Sequence, residues 1–254
     1  ITDSIRYAKR IQTAVLPDKQ TCKLFDYFIY FLPKDIVSGD FYWIHHFEKE
    51  KQLIFIAADC TGHGVPGAFM SMLGTSFLNE IVGKADVNHS DSILNLLRKY
   101  VINTLSQGLK EGDRDERKDG MDMALASIDL ETMILEFSGA NNPLLLIRNG
   151  KLTEYKPDKM PIGAYIKQNI PFHRTEIQLE PGDQFYLFSD GYVDQFGGDS
   201  GRKYMKKRFK EYLLSISNQP MDVQKSLLKE EMGTWMKEHE QIDDQLVIGV
   251  RASF

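Results

Sequence analysis

Aspartates fall at the ends of apolar runs at four places in this chain, and their placement is its clearest chemical signal. Asp40 stands in SGDFYW just ahead of a β-rich run, Asp59 closes LIFIAAD, and Asp190 closes QFYLFSD in the same way. Asp243 and Asp244 immediately precede QLVIGV. An acid at the end of a buried strand projects into the rim where strand ends converge. Carboxylates gathered there repel one another unless a cation neutralises them. A donor set made only of oxygen suits hard cations such as Mg²⁺ or Mn²⁺, whereas zinc favours His and Cys at short fixed spacings that are missing here. Any single Asp is more often a turn or cap residue, but four matching contexts weaken that reading.

The loop after Asp59, CTGHGVPGAF, places Gly62, Gly64 and Gly67 at G-x-G-x-x-G spacing, after a strand and before a helix. That is a dinucleotide-binding context, and Asp86 lies about where a ribose-binding acid would. An acid at the strand end would repel a pyrophosphate, however, and a second helix follows where a βαβ unit needs a strand. The favoured reading is a flexible turn that brings backbone oxygens close to a metal and an incoming phosphate. Cys60 in this loop could be read as a nucleophilic thiol, but no C-x5-R cradle follows it, which argues against that role.

The elements that must position these residues follow from periodicity. Residues 1–16 are predicted to be helical, with Ile1, Ile5, Ala8, Ile11 and Val15 on one stripe and Pro17 as the stop. Short β-rich runs cover 25–32, 41–47 and 53–58. A helix apolar nearly all round is expected over 67–82. An amphipathic one follows over 91–107, with Ser90 placed to cap it and Gly108 to end it. Strands return over 119–149 with a turn near 139–143. A buried strand is expected at 184–189, amphipathic helices at 202–216 and 221–238, and a last strand at 245–250. Strands in groups and helices in pairs favour two packed sheets covered by helices over a doubly wound parallel sheet.

Composition sets the limits. With 254 residues and 42% hydrophobic content the chain can bury a sizeable core. A formal net charge of −5 argues against a nucleic-acid partner. Cys22 and Cys60 are the only cysteines, which fits a reducing, cytoplasmic setting, and no run is long enough to span a bilayer. A helix that begins at Ile1 reads as the end of a coiled-coil-like linker from a missing N-terminal region, which could itself carry a membrane anchor. Residues 17–254 form the domain proper.

Taken in order, SGDFYW, AADCTGHGVPGAF, SDGYVD and DDQLVIGV resemble the PPM group of metal-dependent protein serine/threonine phosphatases, in its bacterial SpoIIE/RsbU-like branch. SGANNPLLLIRNG and MPIGA are similar to that branch too, and the resemblance runs from about Leu16 to the C-terminus. It implies an α+β fold, a four-layer αββα sandwich of two mainly antiparallel sheets flanked by helices. It also implies two Mn²⁺ or Mg²⁺ ions around an activated water, with a third ion as an option. Asp59 matches the acid that bridges the ions, and Asp40, Asp190 and Asp243 match further ligands. Cys60 stands where the family has a Gly that ligates through its carbonyl. Asp59 and Asp190 are the acids whose loss should stop catalysis. Asp119 and His63 are candidates for third-metal or phosphate contacts. Thr61 occupies the place of the His that eukaryotic members use as a general acid, and the phosphate-gripping Arg of those members has no counterpart here. The implied partners are a phosphoprotein substrate such as a STAS-type anti-sigma-factor antagonist, an upstream sensor region of the same chain, and a second copy through residues 1–16. The rival readings are a catalytically degenerate binding module on the same fold and a dinucleotide-binding domain.

Overall fold

The run LIFIAA has no polar alternate face. In the computed structural model, which describes residues 2–19, 21–82, 89–106, 119–166 and 169–254, both of its faces are covered. The chain begins with α1 (Thr2–Val15), β1 (Phe25–Leu32), β2 (Asp40–Phe47) and β3 (Gln52–Cys60). Helices α2 (Gly64–Ile81) and α3 (Ser90–Ser106) follow, then β4 (Gly120–Asp129), β5 (Ile134–Ala140), β6 (Leu144–Arg148) and β7 (Lys151–Tyr155). Next come β8 (Ile162–Gly163), β9 (Thr175–Gln178), β10 (Gln184–Phe188), the short α4 (Gly191–Asp194), β11 (Phe196–Gly197) and β12 (Arg202–Lys203). Helices α5 (Lys206–Ile216) and α6 (Met221–Met236) precede the final β13 (Gln245–Ala252).

One sheet has the order β1-β13-β10-β6-β7 and the other β2-β3-β4-β5-β9, with β8 on the end of β4. Every pairing between these strands is antiparallel. Because strand side chains alternate, β3 sends Leu53, Phe55 and Ala57 into the space between the sheets and Ile54, Ile56 and Ala58 toward α2 and α3. The inner layer is completed by Phe185 and Leu187 of β10 and Leu246, Ile248 and Val250 of β13. A third apolar layer joins Tyr186, Phe188 and Val247 to Phe209 and Leu213 of α5 and Leu228 and Met232 of α6. The result is the expected αββα sandwich, and its antiparallel sheets exclude the parallel crossover that dinucleotide binding requires.

Several boundaries differ from expectation for identifiable reasons. Helix α2 starts at Gly64, three residues early, with His63 in extended geometry ahead of it. Ser90 does not cap α3; its hydroxyl meets Ser138 Oγ at 2.8 Å and its N–H donates to Glu136 Oε2 at 3.0 Å. Arg202 and Lys203 pair with Gly197 and Phe196 in a small hairpin, so α5 begins only at Lys206. Gln107, Gly108 and Asp86 lie outside the described residues. Among the described residues no helix is long and apolar enough to cross a membrane.

Candidate metal centre and active site

The register of the second sheet places three acids on one rung. Asp40 at the start of β2 pairs with Asp59 near the end of β3, and Asp59 pairs with Asp122 on β4. Asp59 shares the parity of Leu53, Phe55 and Ala57, so its carboxylate opens into the space between the sheets at their rim. The first sheet contributes from the other side. Asp190 directly follows β10 and its neighbouring Ser189, and Asp243 and Asp244 precede β13. Ser189 Oγ donates to Asp40 Oδ2 at 2.5 Å, which ties the two sheets together at the rim.

Asp59, Cys60, Thr61, Gly62, His63, Asp122, Asp190 and Asp243 line one cleft of about 220 Å³. A larger cavity of about 610 Å³ lies among Tyr27, Tyr30, Tyr42 and Lys225, and among its described lining residues Asp18 and Asp222 are the acids. The smaller cleft is the chemically informative one. Asp40 lies behind it, buried to 2% exposure, and its carboxyl is pushed well above the usual range by burial and then by the charge of Asp59. Asp59 is raised by burial, by the charge of Asp190 and by a direct hydrogen-bond contact with that carboxylate. Burial also raises Asp122 and Asp243, offset in part by Asn141 at the first and by the Asp244 N–H at the second. Buried carboxylates gathered in one cleft need either shared protons or a cation among them. The donors are all oxygen, so the set fits a hard cation better than zinc. Among the described residues no three ligating side chains already converge on one point.

Cys60 is buried and its thiol is pushed well above its ordinary value, by burial first and by Asp59 next. That environment suppresses the thiolate a nucleophile needs. The backbone around it is held tightly, for Cys60 N donates to Gly39 O at 3.2 Å and Thr61 N to Gly120 O at 2.9 Å. Gly62 and Gly64 take φ of +82° and +64°, which L side chains rarely adopt, so the loop can fold back over the rim.

The structure brings together Asp40, Asp59, Cys60, His63, Asp190 and Asp243. It leaves Asp119 apart: that residue is exposed, precedes β4, and sits beside Ile102, Leu105 and Ala164. Asp122, three residues on, occupies the rim, held by Asn141 Nδ2 at 2.9 Å. Sequence reasoning passed over Asp122 and Asn141, although an acid near a strand end in DGMDMALASID was the same signal used elsewhere. Asp244 has a different task from its neighbour. Its carboxylate accepts the N–H groups of Lys34 and Gly39, each at 2.8 Å, and so fixes the 34–39 loop beside the rim.

An acid-lined cleft at one edge of an antiparallel αββα sandwich defines the class of domain. The profile of the stage II sporulation protein E (SpoIIE) family matches residues 49–253, and the chain belongs to that family. It is 25% identical over 205 residues to the phosphoserine phosphatase RsbU of Bacillus subtilis (strain 168); the match covers 78% of this chain and 56% of that protein, so the chain spans about half of its relative. The solved SiaA-PP2C domain of Pseudomonas aeruginosa superposes with a TM-score of 0.86 at 29% identity, covering 98% of this chain and 96% of that one. The PP2C phosphatase domain of Bacillus subtilis SpoIIE, solved with a fragment of its regulatory domain, superposes with a TM-score of 0.72 at 19% identity, covering 92% and 64%.

Proposed function

We propose that this domain hydrolyses phosphoserine or phosphothreonine on a partner protein, with two divalent cations held by its rim of aspartates. The observation that carries the reading is the rung Asp40–Asp59–Asp122 across the second sheet, with Asp59 and Asp122 lining one cleft together with Asp190 and Asp243 from the first. Asp59, Asp190, Asp243 and the Cys60 carbonyl would hold Mn²⁺ or Mg²⁺, with Asp40 and Asp122 as further oxygen donors. Such ions, when bound, supply Lewis acidity and an activated water. The protein's own part is to hold the acids in one place, through the β2-β3-β4 register and the Ser189 bridge, and to admit a phosphate to a cleft of about 220 Å³. No covalent phosphoenzyme is required.

The relative's description as a phosphoserine phosphatase supports the reaction class. An anti-sigma-factor antagonist of the STAS type is the substrate that the family resemblance suggests. Residues 1–16 are read as a coupling element between an upstream region and the catalytic rim. Gln12, buried on α1, donates through Nε2 to Ser38 O at 2.6 Å and Ser71 Oγ at 2.8 Å, and accepts from Ser38 N at 3.0 Å. Ser38 Oγ in turn accepts the Asp40 N–H at 3.0 Å, so a shift of α1 reaches a rim acid in two contacts. Phosphate release from a phosphoserine protein, with Mn²⁺ and then with excess chelator, tests the reaction. Release that persists under chelation overturns the metal reading, and no release with Mn²⁺ overturns the phosphatase reading.

A further inference from the structure

The segment that carries Asp243 into the cleft lies between the end of α6 and the start of β13, and residues 239–244 belong to no helix or strand. Its backbone groups therefore depend on side chains for partners. Gln195, which is fully buried, supplies them. Its Nε2 donates to Glu240 O at 2.8 Å, and its Oε1 accepts the Ile242 N–H at 3.2 Å. Nε2 also donates to Phe196 O at 3.1 Å, and Oε1 stands 3.5 Å from Gln245 Nε2 at the start of β13. The same residue directly follows the short helix that Asp190 opens, in which Asp194 N donates to Asp190 O at 2.9 Å. That helix lies flush against the Asp243 segment: a Cβ added at Gly191 would stand 1.8 Å from Asp244 O and 3.5 Å from Asp243 Cβ. The main chain of Gln195 is itself fixed, because its carbonyl accepts Trp235 Nε1 at 3.0 Å and Tyr204 N at 2.9 Å.

We infer that Gln195 is the positioning residue that sets Asp243 against Asp190 and thereby tunes how tightly the rim holds a divalent cation. This rests on the metal reading above. The task calls for an amide. Glu240 O needs a donor and the Ile242 N–H needs an acceptor, and a primary amide presents both from one end. A glutamate of the same shape only accepts when ionised, and a methionine leaves both buried groups unpaired. Gln195 acts through Asp243 and lies outside the cleft lining. Gln241 holds the segment from the other side, with Nε2 at 2.8 Å from Asp243 O and 2.9 Å from Leu32 O. Loss of Gln195 should therefore loosen the aim of Asp243 while the segment stays tied to β1. Residues that orient a metal ligand from outside the ligand set typically contribute about 10- to 100-fold to metal affinity.

The test is Mn²⁺ binding by calorimetry, paired with the Mn²⁺ dependence of phosphate release from a phosphoserine peptide. It compares the unsubstituted chain with Gln195→Met, Gln195→Glu, Asp243→Asn and the double variant Gln195→Met/Asp243→Asn. Each Gln195 variant should weaken Mn²⁺ binding by about 10- to 100-fold and move the midpoint of release to match. At saturating Mn²⁺, kcat should return to within about threefold of the unsubstituted value. In the Asp243→Asn background, Gln195→Met should change the affinity of the remaining Mn²⁺ by less than about twofold, because the residue it acts through is gone. Unchanged affinity in both Gln195 variants, or an equal loss with and without Asp243, overturns the inference. So does a chain that unfolds in both variants even at saturating Mn²⁺, which would make Gln195 a packing residue. An unsubstituted chain that binds Mn²⁺ but releases no phosphate overturns the phosphatase reading alone, and one that binds no Mn²⁺ overturns both.

Discussion

Gly67→Ala probes how tightly the catalytic loop is built. Gly67 is buried in the first turn of α2, and a Cβ there would stand 2.4 Å from Gly62 O and 2.9 Å from Gly39 Cα. Carbon atoms settle near ~3.5 Å from a neighbour, so one of these backbones must retreat by about 1 Å. There is no slack on the other side, because a Cβ at Gly39 would already meet Gly62 O at 2.5 Å. Overpacking of this kind costs about 1–3 kcal/mol. In a chain of this size each kcal/mol lowers the melting temperature by about 2–4 °C. The larger effect should be catalytic, since the displaced segment carries the Cys60 carbonyl on one side and leads into Asp40 on the other. A misplacement of about 1 Å can cost on the order of 10²-fold in rate. The assay is thermal unfolding paired with Mn²⁺-dependent phosphate release. Gly233→Ala is the control, because nothing lies within 4 Å of a Cβ there and the site is inside α6; it should be neutral or stabilising by up to ~1 kcal/mol. If Gly67→Ala matched the unsubstituted chain in both stability and rate, the loop would not be interlocked as described.

Three further expectations follow from the same geometry. Cys60→Ser should retain most activity, since the carbonyl stays and the buried thiol is held protonated; complete loss in a folded, metal-loaded variant would support thiol chemistry instead. The carboxyls of Asp40 and Asp59 are raised above their unfolded values, so as pH rises from about 4 the unfolded chain releases those protons first and the metal-free fold loses their contribution. Melting under chelator should therefore show a stability deficit at neutral pH that Mn²⁺ removes and Asp59→Asn reduces, and a deficit indifferent to both would contradict the assignment. Tyr7, Ile11 and Val15 remain exposed on α1, so a dimer through this helix should be weakened by Ile5→Asp or Ile11→Asp in sedimentation; a chain that sediments as a monomer at high concentration would leave α1 as a docked helix only.

Legibility in the sequence tracked how local each signal was. The run LIFIAAD announced both a strand buried on two faces and an acid at its end, and β3 bears this out from Gln52 to Cys60. The sandwich was readable because grouped strands and paired helices leave few ways to cover apolar faces. What stayed hidden depends on partners distant in sequence. Asp122 reaches the rim only through its register with Asp59, and the nearer-looking Asp119 falls just outside the strand. Asp35 meets His63 across 28 positions, and Ser189 meets Asp40 across 149, so no spacing rule could have joined either pair. Ser90 misled for the same reason, since a hydroxyl well placed to cap a helix was taken by Ser138 of the sheet beneath it.

The most direct test of the account is a Mn²⁺ titration followed both by binding calorimetry and by phosphate release from a phosphoserine protein, in the unsubstituted chain, Asp59→Asn and Asp190→Asn. The account predicts that about two ions bind and that release rises with occupancy. Each substitution should remove at least one ion and nearly all of the release, in a protein that stays folded. Full release in both variants, or release that proceeds with no ion bound, would contradict it.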